Sequence, residues 1–238
     1  MKGFDQSFDT PADSQEEHWV SVSDLMAGLM MCFLMISVVF MIKMQIEKEK
    51  IQEVALLYET LRTSLYDQLY DEFKDDLPRW GAELDEDLTF RFTDSQLLFD
   101  KGKSELKPEF SAILKDFFPR YTKIITSPAY YEAITEVRIE GHTSIGWGKA
   151  ADKDTAYILN MRLSQARTRT TLAYLLLLPE VYRQKDWLRD RLTANGLSSS
   201  HPVIDAQGNI DNVGSRRVEF RLRTDAESRI ADILDRIR

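Results

Sequence analysis

The sequence predicts a single membrane-spanning helix with a helical stalk behind it, followed by a compact α+β domain. Three observations lead there. About 18 apolar or small residues run without a charge from Leu25 to Ile42. Behind them Val54, Tyr58, Leu61, Leu65, Leu69 and Phe73 recur at spacings of three and four, the period of one helix face. Over residues 88–223, stretches with strand-like alternation are interleaved with stretches of helical period.

Residues 1–17 form an acidic N-terminal tail carrying Asp5, Asp9, Asp13, Glu16 and Glu17. The span is assigned to residues 18–43. Trp19 and Val20 lengthen it at one end, and Lys43 closes it where a lysine can reach the headgroups. That matches the roughly 20 residues needed to cross a ~30 Å hydrocarbon core. A cleaved signal peptide would need a basic start and a small-residue cleavage site; the start here is acidic and no such site follows. Asp24 stands at the mouth of this span. An ionised group in a bilayer is costly, so an acid there is by default functional, and its expected role is to carry an ion, H⁺ or Na⁺.

Residues 44–80 are read as a helical stalk ended by Pro78. Its apolar stripe needs a partner, either a second copy or the following domain, and homodimerisation is the preferred reading. Within the domain, 88–92 alternates as a strand and 97–99 is a second short one. Residues 108–120 open with a proline suited to a first helical turn. Strands are expected at 136–140 and 218–222, and helices at 154–178 and 181–192, the latter leaving through an Asn195-Gly196 turn. Residues 224–238 form an amphipathic helix through Ile230, Ile233, Leu234 and Ile237.

A net charge of −8 argues against a direct nucleic-acid partner, which needs a basic face. The single cysteine, Cys32, permits no intrachain disulfide. No nucleophile elbow, phosphate-binding loop or dinucleotide fingerprint occurs, so neither an enzyme nor a bound cofactor is expected. His142 could be a metal ligand, a base or a turn residue. His18 and His201 stand at no ligand spacing from it, and a structural or pocket-lining role is favoured, with no metal expected.

Several motifs follow one another in order. Leu98-Phe99-Asp100 precedes Leu106-Lys107-Pro108. Ile139-Glu140-Gly141-His142-Thr143 is followed by Asn160, Leu163, Ser164 and Arg167 at helical spacing, and later by Arg216-Arg217-Val218-Glu219. Together they resemble the OmpA-like peptidoglycan-binding domain of outer-membrane anchors and flagellar stator B subunits, over most of residues 88–223, which implies an α+β fold with a mixed β-sheet and helices packed on one face. The resemblance implies that Arg167 holds a stem-peptide carboxylate of the diaminopimelate type, where a planar guanidinium can form two parallel bonds. It further implies amide bonds from Asn160, Thr143 at the pocket edge, Leu163 beneath the site, and positive potential from one of Arg216 and Arg217. The chain departs from the pattern at Ser144, where many members have an aspartate, and in an extra stretch, 145–155 (IGWGKAADKDT).

The run His18-Trp19, then Asp24-Leu25-Met26 and Leu29-Met30, resembles the ion-carrying helix of stator B subunits, in particular that of the Zorya anti-phage defence system. This implies a homodimer inside a pentameric stator A-like partner, with cytoplasmic effectors reached through that partner. Lys43, Lys48 and Lys50 follow the span against Lys2 before it, which alone favours an outside N-terminus. A wall-binding domain instead requires the N-terminus in the cytoplasm and the domain in the periplasm of an inner-membrane protein. A flagellar-type stator powering motility and a passive envelope-to-wall tether are the alternatives.

Overall fold

A computed structural model describes residues 13–148 and 152–225. The expectations for residues 1–12, for the helix at 226–238 and for the middle of the 145–155 stretch lie outside the described residues. The chain divides into two units, Met1–Glu53 and Val54–Arg238.

The described part of the first unit belongs to helix α1 (Asp13–Phe73), so residues 13–17, expected in the tail, are helical. No proline interrupts α1, and its leucines, methionines, glutamates and lysines are good helix formers. Its most apolar 18-residue window has a mean hydropathy of 2.6 and no buried side chain. It is one helix long and apolar enough to cross a membrane. Within it the Ser37 hydroxyl donates to the Phe33 carbonyl at 2.7 Å, which satisfies a polar group without water.

The second unit holds the C-terminal part of α1, the short α2 (Leu77–Trp80) and a five-stranded mixed sheet. The strands are β1 (Ala82–Leu84), β2 (Thr89–Phe92), β3 (Ile134–His142), β4 (Leu192–Ser198) and β7 (Val218–Thr224), in the order β1-β2-β7-β3-β4. Only β3 and β4 pair in parallel. A separate hairpin pairs β5 (Val203–Ile204) with β6 (Ile210–Asp211). The helices are α3 (Ser95–Leu98), α4 (Pro108–Ile125), α5 (Lys153–Leu177) and α6 (Lys185–Arg191).

Alternation along the strands sorts the two faces of the sheet. Phe90, Phe92, Val137, Ile139, Phe220 and Leu222 enter the core. α4 meets them with Phe110, Leu114, Phe117, Phe118 and Tyr121, all fully buried. Phe117 is the hub: its ring centroid lies 5.0 Å from those of Phe90 and Tyr121, 5.2 Å from Phe220, and 5.3 Å from Phe73 and Phe92. The other face carries Arg91, Glu136, Arg138, Glu140, Glu219 and Arg221 as cross-strand neighbours.

Several expectations are corrected. The stalk stripe does not stand free along its length: Leu65, Leu69 and Phe73 are fully buried in this unit's own core. Arg120 of α4 fastens the helix end, its Nε donating to Glu72 Oε1 at 2.7 Å and its Nη2 to the Glu72 carbonyl at 2.7 Å. Of the short strand expected at 97–99 only Phe99 is paired, in a single antiparallel bridge to Leu106; residues 95–98 form a helical turn, which Asp94 caps by accepting from the Gln96 N–H at 3.0 Å. The expected helix at 181–192 is a 3₁₀ turn, Pro179–Gln184, followed by α6. Asn195 and Gly196 lie inside β4 rather than in an exit turn. Gly196 is there because α5 passes so close that a Cβ would fall 2.2 Å from the Gln165 nitrogen.

Candidate functional site

A cleft of about 790 Å³ opens where α3 and the loop after it, the loop leaving β3, one face of α5 and the start of β7 converge. α5 is started by Asp152, whose Oδ1 accepts from the Asp154 and Thr155 N–H groups at 3.0 Å each, an N-cap that fixes where the helix begins. From that start, Asn160, Leu163 and Arg167 fall on one face, and all three line the cleft. Thr143, Arg216 and Arg217 line it too. The structure therefore brings together every residue expected at the C-terminal site; Asp24 lies in α1, exposed.

Arg167 is 9% exposed. Its Nε donates to the Lys103 carbonyl at 2.9 Å and its Nη2 to the Asp100 carbonyl at 3.1 Å, while Cζ sits 4.8 Å from the centre of the Phe99 ring. Among the described residues no carboxylate pairs with it. Burial, reinforced by the nearby charge of Arg216, pushes its pKa down to about 10. A cation held in place by neutral carbonyls and an aromatic face, with no counter-charge, is a site prepared for an anion.

The two arginines of the later motif separate clearly. Arg217 is committed, its Nε donating to Glu219 Oε1 at 2.6 Å and its Nη1 to the His201 carbonyl at 3.1 Å. Arg216 is half-buried and has no carboxylate partner among the described residues, so it supplies the field that Arg167 feels. Lys101 and Lys107 add two further cations to the lining; Lys107 enters the sequence reading only as part of Leu106-Lys107-Pro108, and neither is given a role in the site there. Asp100 is the acid of that lining, and it is engaged by Lys103 at 3.1 Å and Lys107 at 3.8 Å.

Asn160 has a different role from the one expected. Its amide donates to the Ser144 and Gly146 carbonyls at 3.2 and 3.0 Å, so it holds the loop after β3 rather than presenting its N–H groups to the cleft. Thr143 is 3% exposed and its hydroxyl is buried without a hydrogen-bond partner. Leu163 is half-buried at the wall.

Beneath the cleft, Glu219 is 5% exposed. Burial pushes its carboxyl pKa upward, but the approach of His142 and the bonds from Arg91 and Arg217 outweigh this and hold it well below the usual carboxylate range. Arg91 Nε donates to the same Oε1 at 2.9 Å. Glu140, directly opposite Glu219 across the strands, lies 3.4 Å from Arg138 Nη1. Glu140, His142 and Glu219 bring ligand atoms within 4.8 Å of one another, close enough to suggest a metal site. The three arginines already neutralise those carboxylates, however, so the cluster works as an ion-pair lattice. His142 Nε2 lies 3.4 Å from Glu219 Oε2, outside good hydrogen-bond geometry.

No family model matches the chain. Over 223 residues, covering 93% of this chain and 94% of the other, it is 48% identical to the Zorya protein ZorB of Escherichia coli. The chain belongs to the ZorB family. Solved structures to which this family member is similar include a MotB-like protein of Desulfovibrio vulgaris, at 23% identity and TM-score 0.44 over 75% of this chain and 99% of that one. Another is the cell wall anchor of the T6SS from Pseudomonas aeruginosa, at 21% identity and TM-score 0.44 over 66% of this chain and 96% of that one. A third is the OmpA-like domain of FopA1 from Francisella tularensis, at 18% identity and TM-score 0.38 over 60% and 80%.

Proposed function

We propose that this chain is the wall-anchored subunit of an ion-driven inner-membrane motor in an anti-phage defence system. The observation that carries the anchoring half is Arg167: a buried guanidinium, fixed by two backbone carbonyls, without a carboxylate among the described residues. A peptidoglycan stem offers free carboxylates, and a charge-assisted bidentate pair with one of them supplies the missing counter-charge. Arg216, Lys101 and Lys107 draw an anion towards the cleft. Thr143 offers an unpartnered hydroxyl, Leu163 an apolar wall, and Asn160 shapes the loop. Arg217 acts indirectly, through Glu219.

The motor half rests on Asp24, on the apolar run that follows it, and on membership of the ZorB family. In this reading the N-terminus is cytoplasmic and the domain periplasmic. Two copies sit inside a pentameric stator A-like partner, through which cytoplasmic effectors are engaged. Asp24 is neutralised when it takes an ion, a proton rather than Na⁺ in the preferred form, and recharged when it releases it. Each charge crossing the membrane potential releases about 2.3 kcal/mol per 100 mV, which turns the partner around a chain held by the wall.

Two measurements test the two halves. Co-sedimentation with purified peptidoglycan is expected for the wild type and lost for Arg167→Ala; equal sedimentation removes Arg167 from the site. Asp24→Asn is expected to abolish ion flux and phage protection while the complex still assembles in the membrane. Full protection by that variant would leave a passive tether as the function.

A further inference from the structure

The chain carries four tryptophans, three of which have described side chains. Trp80 and Trp187 are 7% and 4% exposed and belong to the hydrophobic core. Trp147 does not. It is half-buried, packs on no part of that core and lines the cleft. Among the described residues no aromatic ring or cation stacks on it, and its indole N–H makes no hydrogen bond. A large ring left half in water with neither face covered by an aromatic partner has no evident structural purpose.

Its setting is nevertheless organised. Gly146 and Gly148, on either side, hold φ of +93° and +64°, a backbone conformation that side chains rarely adopt. Asn160 fastens the Ser144 and Gly146 carbonyls from α5. The Ile145 N–H donates to Asn212 Oδ1 at 3.2 Å. The ring is thus presented from a loop pinned at two points to other elements, on a cleft whose lining also carries the apolar Phe99 and Leu163 and the cations Arg167 and Arg216. The cleft volume of about 790 Å³ lies high in the roughly 300–1,000 Å³ range of small-molecule sites. One carboxylate-bearing residue at Arg167 leaves much of it unfilled.

We infer that Trp147 is a stacking platform for a pyranose ring, so that the cleft reads a sugar of the ligand as well as a carboxylate. A pyranose has hydroxyls at its rim and an apolar C–H face. The weakly positive C–H bonds of that face suit the electron-rich face of an indole, and the rim suits the hydroxyl of Ser144, which also lines the cleft. Stacking on an aromatic side chain tolerates variation in the ligand because it uses the ring face and not its substituents, as it does for nucleic-acid bases. This inference rests on the peptidoglycan reading above: it adds the glycan to a site that the arginine alone would assign to the peptide.

The test compares two ligands on the detergent-solubilised full chain by titration calorimetry. One is a disaccharide-peptide released from peptidoglycan by a muramidase; the other is the same stem peptide freed of its sugars by an amidase. Trp147→Ala is expected to weaken disaccharide-peptide binding on the order of tenfold and to leave the stem peptide within about twofold. Trp147→Phe is expected to recover most of the loss. Equal losses on both ligands, or no loss on either, overturn the sugar platform while wild-type stem-peptide binding keeps the wall-anchor reading. A wild-type chain that binds neither ligand overturns both.

Discussion

Replacing Glu219 with glutamine tests whether the lattice beneath the cleft supports the fold. Glu219 Oε1 accepts from Arg217 Nε at 2.6 Å and from Arg91 Nε at 2.9 Å. A glutamine oxygen can occupy the same place, so both bonds survive, still charge-assisted from the arginine side. What is lost is the charge. Arg91 keeps Asp85, 2.6 Å away, but Arg217 has no other carboxylate among the described residues. Removing one partner of a buried ion pair costs about 3–5 kcal/mol. The retained bonds and the second partner of Arg91 place Glu219→Gln at the lower end, about 3 kcal/mol. For a domain of this size about 2–4 °C is lost per kcal/mol, so the midpoint should fall by about 6–12 °C. Thermal unfolding followed by tryptophan fluorescence, with Trp80 and Trp187 as core reporters, measures it. The pH dependence gives an independent check. A folded-state pKa held below the ordinary 4.5 means the stabilisation is complete above that value and is withdrawn as the pH falls towards the depressed pKa. Wild type should therefore lose its advantage over Glu219→Gln on acidification below about pH 4.5. Midpoints within a degree of each other at pH 7 would refute the lattice as a source of stability.

Two further outcomes follow from packing. Gly196→Ala places a Cβ 2.2 Å from the Gln165 backbone nitrogen, and backbone cannot yield as a side chain can. A loss of at least about 1–3 kcal/mol is expected in thermal unfolding, along with weaker peptidoglycan sedimentation as α5 moves with Asn160 and Arg167. Leu69→Ala empties a fully buried position and should cost about 2–5 kcal/mol. The shift should not depend on protein concentration; a shift that did would mean Leu69 mainly joins two copies.

What could be read from the sequence and what could not divides along physical lines. Asn160, Leu163 and Arg167 are singled out by the resemblance, and their spacing, a local property of one helix, is why all three line the same cleft. The carbonyls that hold Arg167 come from residues 100 and 103, more than sixty positions away, and backbone acceptors carry no residue-type signal. Asn195-Gly196 has the composition of a turn, yet tertiary contact overrides it: the glycine is needed for the close passage of α5, not for a reversal of the chain. The stripe on α1 showed that an apolar face existed, but a pattern cannot name what covers that face, and for Leu65, Leu69 and Phe73 it is the chain's own core. Thr143 and Asn160 both line the cleft, whereas the loop-holding role of Asn160 depends on where residues 144 and 146 lie. Trp147 was passed over because it fell in a stretch that matched no motif.

The position of β7 has a consequence for how the domain comes into being. The last of the described strands, β7, lies at the centre of the sheet, between β2 and β3, and it brings Phe220 to the aromatic hub and Glu219 to the lattice. Until residues 218–224 are available, β2 and β3 each present an open edge and the core lacks its floor. Long-range pairing of this kind delays folding until nearly the whole chain is present. In the periplasmic reading proposed above, a segment threaded through a membrane as an extended chain is helped by such a delay, because it cannot lock shut halfway through its passage.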